Sequence, residues 1–189
     1  MAIDVGTVLG LTATAAFLVF IHRWFAALRL STRRLVAWGP TRGHRATDPR
    51  TVQGMIGALP FSFGRVVKRE FGGASAKLVL EVEGLPTMPL VEVVSKQRFG
   101  YVVVHRIWNR APDLEVGSVA VYGEDPGHVA TWLDSGLREV VEDFPAGFYL
   151  VFHRGRLTVG KVSYFQHWSR EDFDAAMRLA TAVTALARR

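Results

Sequence analysis

Residues 5–21 read VGTVLGLTATAAFLVFI, a run without a single charge. The 29 positions that follow carry Arg23, Arg29, Arg33, Arg34, Arg42, Arg45 and Arg50 against one acid, Asp48. An apolar run closed by a basic collar is the pattern of one transmembrane helix and its cytoplasmic flank. At about 1.5 Å per residue the run covers about 26 Å, slightly less than the roughly 30 Å of a hydrocarbon core. Trp24 and Phe25 continue it past His22 and Arg23, whose polar ends reach toward the interface. A cleavable signal peptide fits less well: the chain opens Met1-Ala2-Ile3-Asp4, with no positive start, and Ala13-Thr14-Ala15 lies inside the apolar run and not after it. A buried helix of a soluble domain is the remaining alternative.

Short flanks rich in arginine stay in the cytoplasm. The expected topology is therefore an inner-membrane protein with its N-terminus outside and its domain in the cytoplasm. Arg23, Arg29, Arg33 and Arg34 sit where anionic lipid headgroups attract them, each contributing about 1 kcal/mol near the surface. Leu28, Leu30, Leu35, Val36 and Trp38 alternate with these arginines, so the segment reads as a stop-transfer flank or as a helix along the interface. Within the span, Gly6, Gly10 and Thr14 recur at four-residue spacing and offer a face for close helix contact. The division expected is an anchor over residues 1–30, a basic juxtamembrane linker over 31–50, broken by Gly39-Pro40, Gly43 and Pro49, and a domain over 51–189.

Charge and composition exclude several functions. The net charge of +6 belongs to residues 22–50. From Thr51 onward 16 basic residues face 15 acidic ones, so the domain has no electrostatic footprint for nucleic acid. There is no cysteine, hence no disulfide, thiolate metal site or cysteine nucleophile. Arginine outnumbers lysine 19 to 4 in a chain rich in Ala, Val and Gly, a bias that points to a bacterial source of high GC content.

The domain reads as α+β: a small antiparallel sheet with two helices on one face. Ala76–Glu83 alternates, with Leu78, Leu80 and Val82 on one side. Leu90–Val94 and Phe99–Ile107 flank a turn at Ser95–Arg98, Val116–Tyr122 is a further strand, and Arg65–Phe71 is a weaker one. Asp125-Pro126 then caps a helix whose apolar positions run from Val129 to Phe144, with Gly136 costing it about 1 kcal/mol and Pro145 ending it. Phe148–His153 and Arg156–Tyr164 form a second hairpin about Arg154-Gly155. Ser169 and Asp172 make the capping box of a last helix, whose stripe includes Phe173, Ala176, Met177 and Ala180.

No catalytic constellation emerges. Gly155–Lys161 fits the GxxxxGK spacing, but Val162 stands where a P-loop needs Ser or Thr, and Leu157-Thr158-Val159 favours a strand, so a hairpin is expected. The histidines are scattered, Glu124-Asp125 is accounted for by the cap, and no cofactor or metal site is expected. Tyr149, Phe152, Tyr164, Phe165 and Trp168 concentrate aromatics around the second hairpin. Core is their ordinary role, and any left exposed would mark a partner surface. The expectation is a single-pass accessory or assembly subunit that acts by protein–protein contact within a larger membrane complex or homo-oligomer. The alternative is a small-ligand sensor or enzyme with a pocket between sheet and helices.

Overall fold

The computed structural model describes residues 5–39, 44–48, 51–70, 73–95, 111–161 and 168–188. It opens with one unbroken helix, α1 (Val5–Trp38), followed by β1 (Arg45–Asp48), β2 (Thr51–Ile56), β3 (Leu59–Glu70), β4 (Gly73–Val82), β5 (Val91–Ser95), β6 (Leu114–Val116) and β7 (Val119–Gly123). The chain continues through α2 (Pro126–Trp132), a π-helical turn (Leu133–Leu137), α3 (Arg138–Glu142), the hairpin β8 (Phe148–His153) and β9 (Arg156–Lys161), and α4 (Arg170–Leu186). The strands form one sheet in the order β1-β2-β3-β4-β9-β8-β5-β7-β6, with every pair antiparallel.

Helix α4 packs over β9, β4 and β2, while α2 packs on β7. Between helices and sheet lies the main core. Phe61, Phe63, Leu78, Leu80, Leu150, Phe152, Leu157 and Val159 come from the strands, and Val129, Trp132, Leu137, Val141, Phe173, Ala176 and Val183 from the helices. The other sheet face holds a smaller buried cluster of Val79, Val94 and Tyr149. Tyr149 lies against Gly160 so closely that a Cβ there would fall 2.3 Å from the phenol ring, so only glycine fits. The α+β class, the antiparallel sheet and the helices on one face are as expected.

Four details differ from the expectation. First, β2 and β3 form a hairpin in perfect register from Thr51↔Gly64 to Ile56↔Leu59, where no strand was expected before Arg65. Second, the strand expected over Val116–Tyr122 is two strands, β6 and β7, separated by a turn at Gly117-Ser118. Third, the helix expected from Pro126 to Phe144 bends at Gly136, whose φ of 118° no other residue type adopts without strain. Fourth, the linker expected over 31–50 contains the end of α1 and the strand β1. The strand over Phe99–Ile107 and its turn lie outside the described residues.

Both predicted caps form. Asp125 accepts a hydrogen bond from the Gly127 N–H at 2.9 Å, and Ser169 and Asp172 complete a reciprocal capping box. Hydrogen bonds from a backbone amide and from Ser169 hold the Glu171 carboxyl below its ordinary range. Among the described residues no helix is long and apolar enough to cross a membrane, so the span expected from residues 5–21 is not shown by the structure.

Candidate functional site

Helix α1 is the surface feature that most needs a function. Its 34 residues extend about 51 Å at 1.5 Å each. Every described side chain from Leu11 to Phe20 is exposed, including Leu11 at 66%, Phe17 and Leu18 at 59% and Val19 at 58%. A soluble domain seldom leaves such a contiguous apolar patch in water, because each exposed Å² forgoes about 25 cal/mol of burial. The Thr14 hydroxyl donates to the Gly10 carbonyl at 2.9 Å, so its polarity is satisfied within the helix. Gly10 has nothing within 4 Å of the place a Cβ would take. Gly6 belongs to the same helix, with its surroundings outside the described side chains. Arg23, Arg33 and Arg34 are exposed and make no ion pair among the described residues; the Arg29 side chain is not among them.

The end of α1 is built into the domain. Gly39 is buried against β2, where a Cβ would stand 3.0 Å from Val52 Cγ1, and its carbonyl accepts the His44 N–H at 3.1 Å. The His44 ring meets Phe61 edge-on at 5.1 Å and Phe173 at 6.1 Å. From Arg45 the chain pairs with β2 as the sheet's edge strand. Gly39 and Arg45 thus already take part in the domain's packing and pairing, and His44, half-buried, lies edge-on against two aromatics of the core.

Tyr149, Phe152 and Trp168 are all buried, the ordinary core role, so the possible partner surface around the second hairpin is not formed by these three. Strand β8 is paired on both edges, by β9 and β5, with Leu150 and Phe152 in the main core on one face and Tyr149 in the smaller cluster on the other. Phe152 packs on Trp132, and Trp168 sits edge-on between Phe63 at 4.8 Å and Phe148 at 5.7 Å. Tyr164 and Phe165 lie outside the described residues.

The Gly155–Lys161 segment is the second strand of a hairpin, with Arg154 (φ 49°) and Gly155 (φ 73°) at its two-residue turn. Lys161, on this strand, is four-fifths buried. Its ammonium lies 2.7 Å from Asp172 and 6.0 Å from the Phe148 ring centre, which ties β9 to the first turn of α4. Glu124 is also structural, accepting the Leu90 N–H at 3.4 Å. Glu92, no candidate from the sequence, is fully buried on β5 opposite Val151 and Tyr122. Its only signal was one carboxylate inside a β-branched run.

Two of the open clefts among the described residues border these elements. One, of about 370 Å³, lies between α3 and α4, with Val140, Ala175 and Leu179 as its floor and Glu139, Asp143 and Arg178 at its rim. The other, of about 430 Å³, lies on the sheet face away from the helices beside Glu81, His153, Arg154, Arg156 and Thr158. In it Arg156 pairs with Glu83 at 2.8 Å and approaches Glu81 at 4.0 Å. Among the described residues no group of histidines and carboxylates is arranged to hold a metal.

No protein-family model matches this chain, and no curated protein matches it in sequence. In three dimensions it is similar to the crystal structure of the mycobacterial trehalose monomycolate transport factor A, TtfA. The TM-score is 0.61 over 84% of this chain and 94% of that one, with 13% sequence identity. At that identity the two proteins share a fold, and the likeness extends to no residue's role.

Proposed function

We propose that this protein is a single-pass bacterial inner-membrane subunit that assists a larger membrane complex by protein–protein contact. Its α1 crosses the bilayer with the N-terminus outside, and its α+β domain lies in the cytoplasm. The observation that carries this reading is the exposed apolar stretch of α1, which the domain leaves uncovered from Leu11 to Phe20 and which a bilayer would bury. The arginines clustered after that run supply the orientation, and Arg23 lies nearest the headgroups. The fold neighbour is a transport factor, and an accessory role beside a membrane machine agrees with that description. The rival reading, a ligand pocket between sheet and helices, has less support, since Phe63, Trp168 and Phe173 pack against one another in that space.

Two fusions after Arg189 test the topology. A reporter active only in the cytoplasm should be active there, and a periplasmic one silent. The reverse pattern would overturn the orientation, and release of the chain from membranes by alkaline carbonate would overturn the span.

A further inference from the structure

The outer face of α4 lacks the charges that a water-facing helix ordinarily carries. Residues 179–187 read LATAVTALA, nine positions without a charge, and among them Thr181, Ala182 and Ala185 are exposed. The Thr181 hydroxyl donates to the Met177 carbonyl at 2.8 Å, so this face presents methyl groups with their polar neighbour already satisfied. Hollows open on both sides of Arg178 and Ala182: the cleft of about 370 Å³ toward α3, and one of about 540 Å³ beside Met177 and Thr181. We propose that a second copy of this chain docks here, with α4 of each copy lying in the other's groove between α3 and α4, as a two-fold symmetric dimer. The proposal goes beyond the membrane reading and does not depend on it.

The charges at the groove select a second copy over a foreign helix. Glu139 and Asp143 stand on the α3 rim and Arg178 on the α4 rim, all three exposed. Among the described residues none of them has an ion pair, with one another or elsewhere. A basic partner helix would meet Arg178, and an acidic one would meet Glu139 and Asp143. A surface with one sign on each rim is its own complement about a two-fold axis running along the groove. That rotation keeps each residue's height and exchanges the rims, so Arg178 of one copy comes beside Glu139 and Asp143 of the other.

Shape and rigidity agree with this arrangement. The groove floor is apolar, formed by Val140, Ala175 and Leu179, and alanine at 182 lets a second helix approach to about 8 Å between axes. The two walls are tied together: a Cβ on Gly136, at the bend before α3, would stand 2.9 Å from Leu186 Cδ2 near the end of α4. At 17 residues α4 is about 26 Å long, and two helices side by side are about 20 Å across. The patch is then roughly 500 Å² a copy and about 1,000 Å² in all, the lower bound for a specific interface. A dimer of micromolar affinity is expected.

Sedimentation of the full chain in mild detergent should show a monomer–dimer equilibrium in that range. Arg178→Glu should weaken it at least about tenfold, and so should Glu139→Arg/Asp143→Arg. Mixed in equal amounts, these two variants should dimerise with each other, because both contacts then pair opposite signs; their recovery also shows that each is folded. The chain has no cysteine, so Ala182→Cys should be joined to its twin by a short bismaleimide, while Met55→Cys, 57% exposed on β2, should not. A parent that stays monomeric at 100-fold higher concentration than about 1 μM would overturn the proposal, leaving the groove to another partner. A dimer indifferent to Arg178→Glu would be held elsewhere, as along α1, and would overturn it equally. So would reversed variants that fail to rescue each other. None of these readouts needs a bilayer, so their failure leaves the spanning reading untouched.

Discussion

Lys161→Ala should destabilise the domain by more than a strand lysine ordinarily would. The lysine and Asp172 are in contact at 2.7 Å, with side chains only 20% and 21% exposed. An exposed ion pair contributes about 0.2–1 kcal/mol, whereas stripping one partner from a buried pair costs about 3–5 kcal/mol. One-fifth exposure lies between these limits. The abandoned Asp172 would still accept the Ser169 N–H at 2.7 Å, so its charge is not left bare. About 1–2 kcal/mol is the expected loss. Asp172→Ala removes the pair and half the capping box as well, adding about 1 kcal/mol. Because both variants delete the same contact, the double variant should cost less than the sum by about 1 kcal/mol. Urea unfolding of the full chain in detergent, followed by tryptophan emission, reads this directly. With a slope of about 2 kcal/mol/M, Lys161→Ala should lower the midpoint by about 0.5–1 M. A midpoint within about 0.1 M of the parent's, or strict additivity in the double variant, would refute the reasoning.

Gly160→Ala should cost about 1–3 kcal/mol in the same assay, because the new methyl would displace the Tyr149 ring from the second sheet face; an unchanged midpoint would mean the ring is not seated there. A fragment beginning at Gly39 should unfold at higher urea than one beginning at Thr51, since the shorter piece lacks β1, the His44 contacts and the Gly39 packing; equal midpoints would show that residues 39–50 add nothing to the domain.

What the sequence made legible was local. The hairpin Phe148–Lys161 announces itself by alternation on both sides of Arg154-Gly155, and α4 by a serine three residues before an aspartate. Strands β2 and β3 were obscured for an equally local reason. Gly54, Gly57, Pro60 and Gly64 interrupt the pattern, although Leu59, Phe61 and Phe63 do alternate inward. Strand β1 is four residues at an edge, too short for any periodicity to register. The role of Lys161 was invisible because Asp172 reaches it only once α4 folds back over β9. The aromatic residues of the hairpin were ambiguous by nature, since composition cannot say that β8 would be paired on both edges and that Tyr149, Phe152 and Trp168 would all be buried.

A flexible linker would let the domain work as a tethered ligand, gaining only effective concentration and accepting any orientation. The chain's own joint argues otherwise. The helix runs to Trp38, Gly39 packs on Val52 and accepts the His44 N–H, and β1 pairs with β2 from Arg45, so the end of α1 is seated on the sheet. On a straight helix of about 100° per residue, Arg33 and Arg34 straddle a direction roughly 190° from Gly10. The small-residue face in the apolar run and the cationic face above it thus point opposite ways. One straight partner helix laid along Gly6, Gly10 and Thr14 would leave both arginines on its far side. If the two faces are used at once, the partner must wrap the helix or be two separate chains.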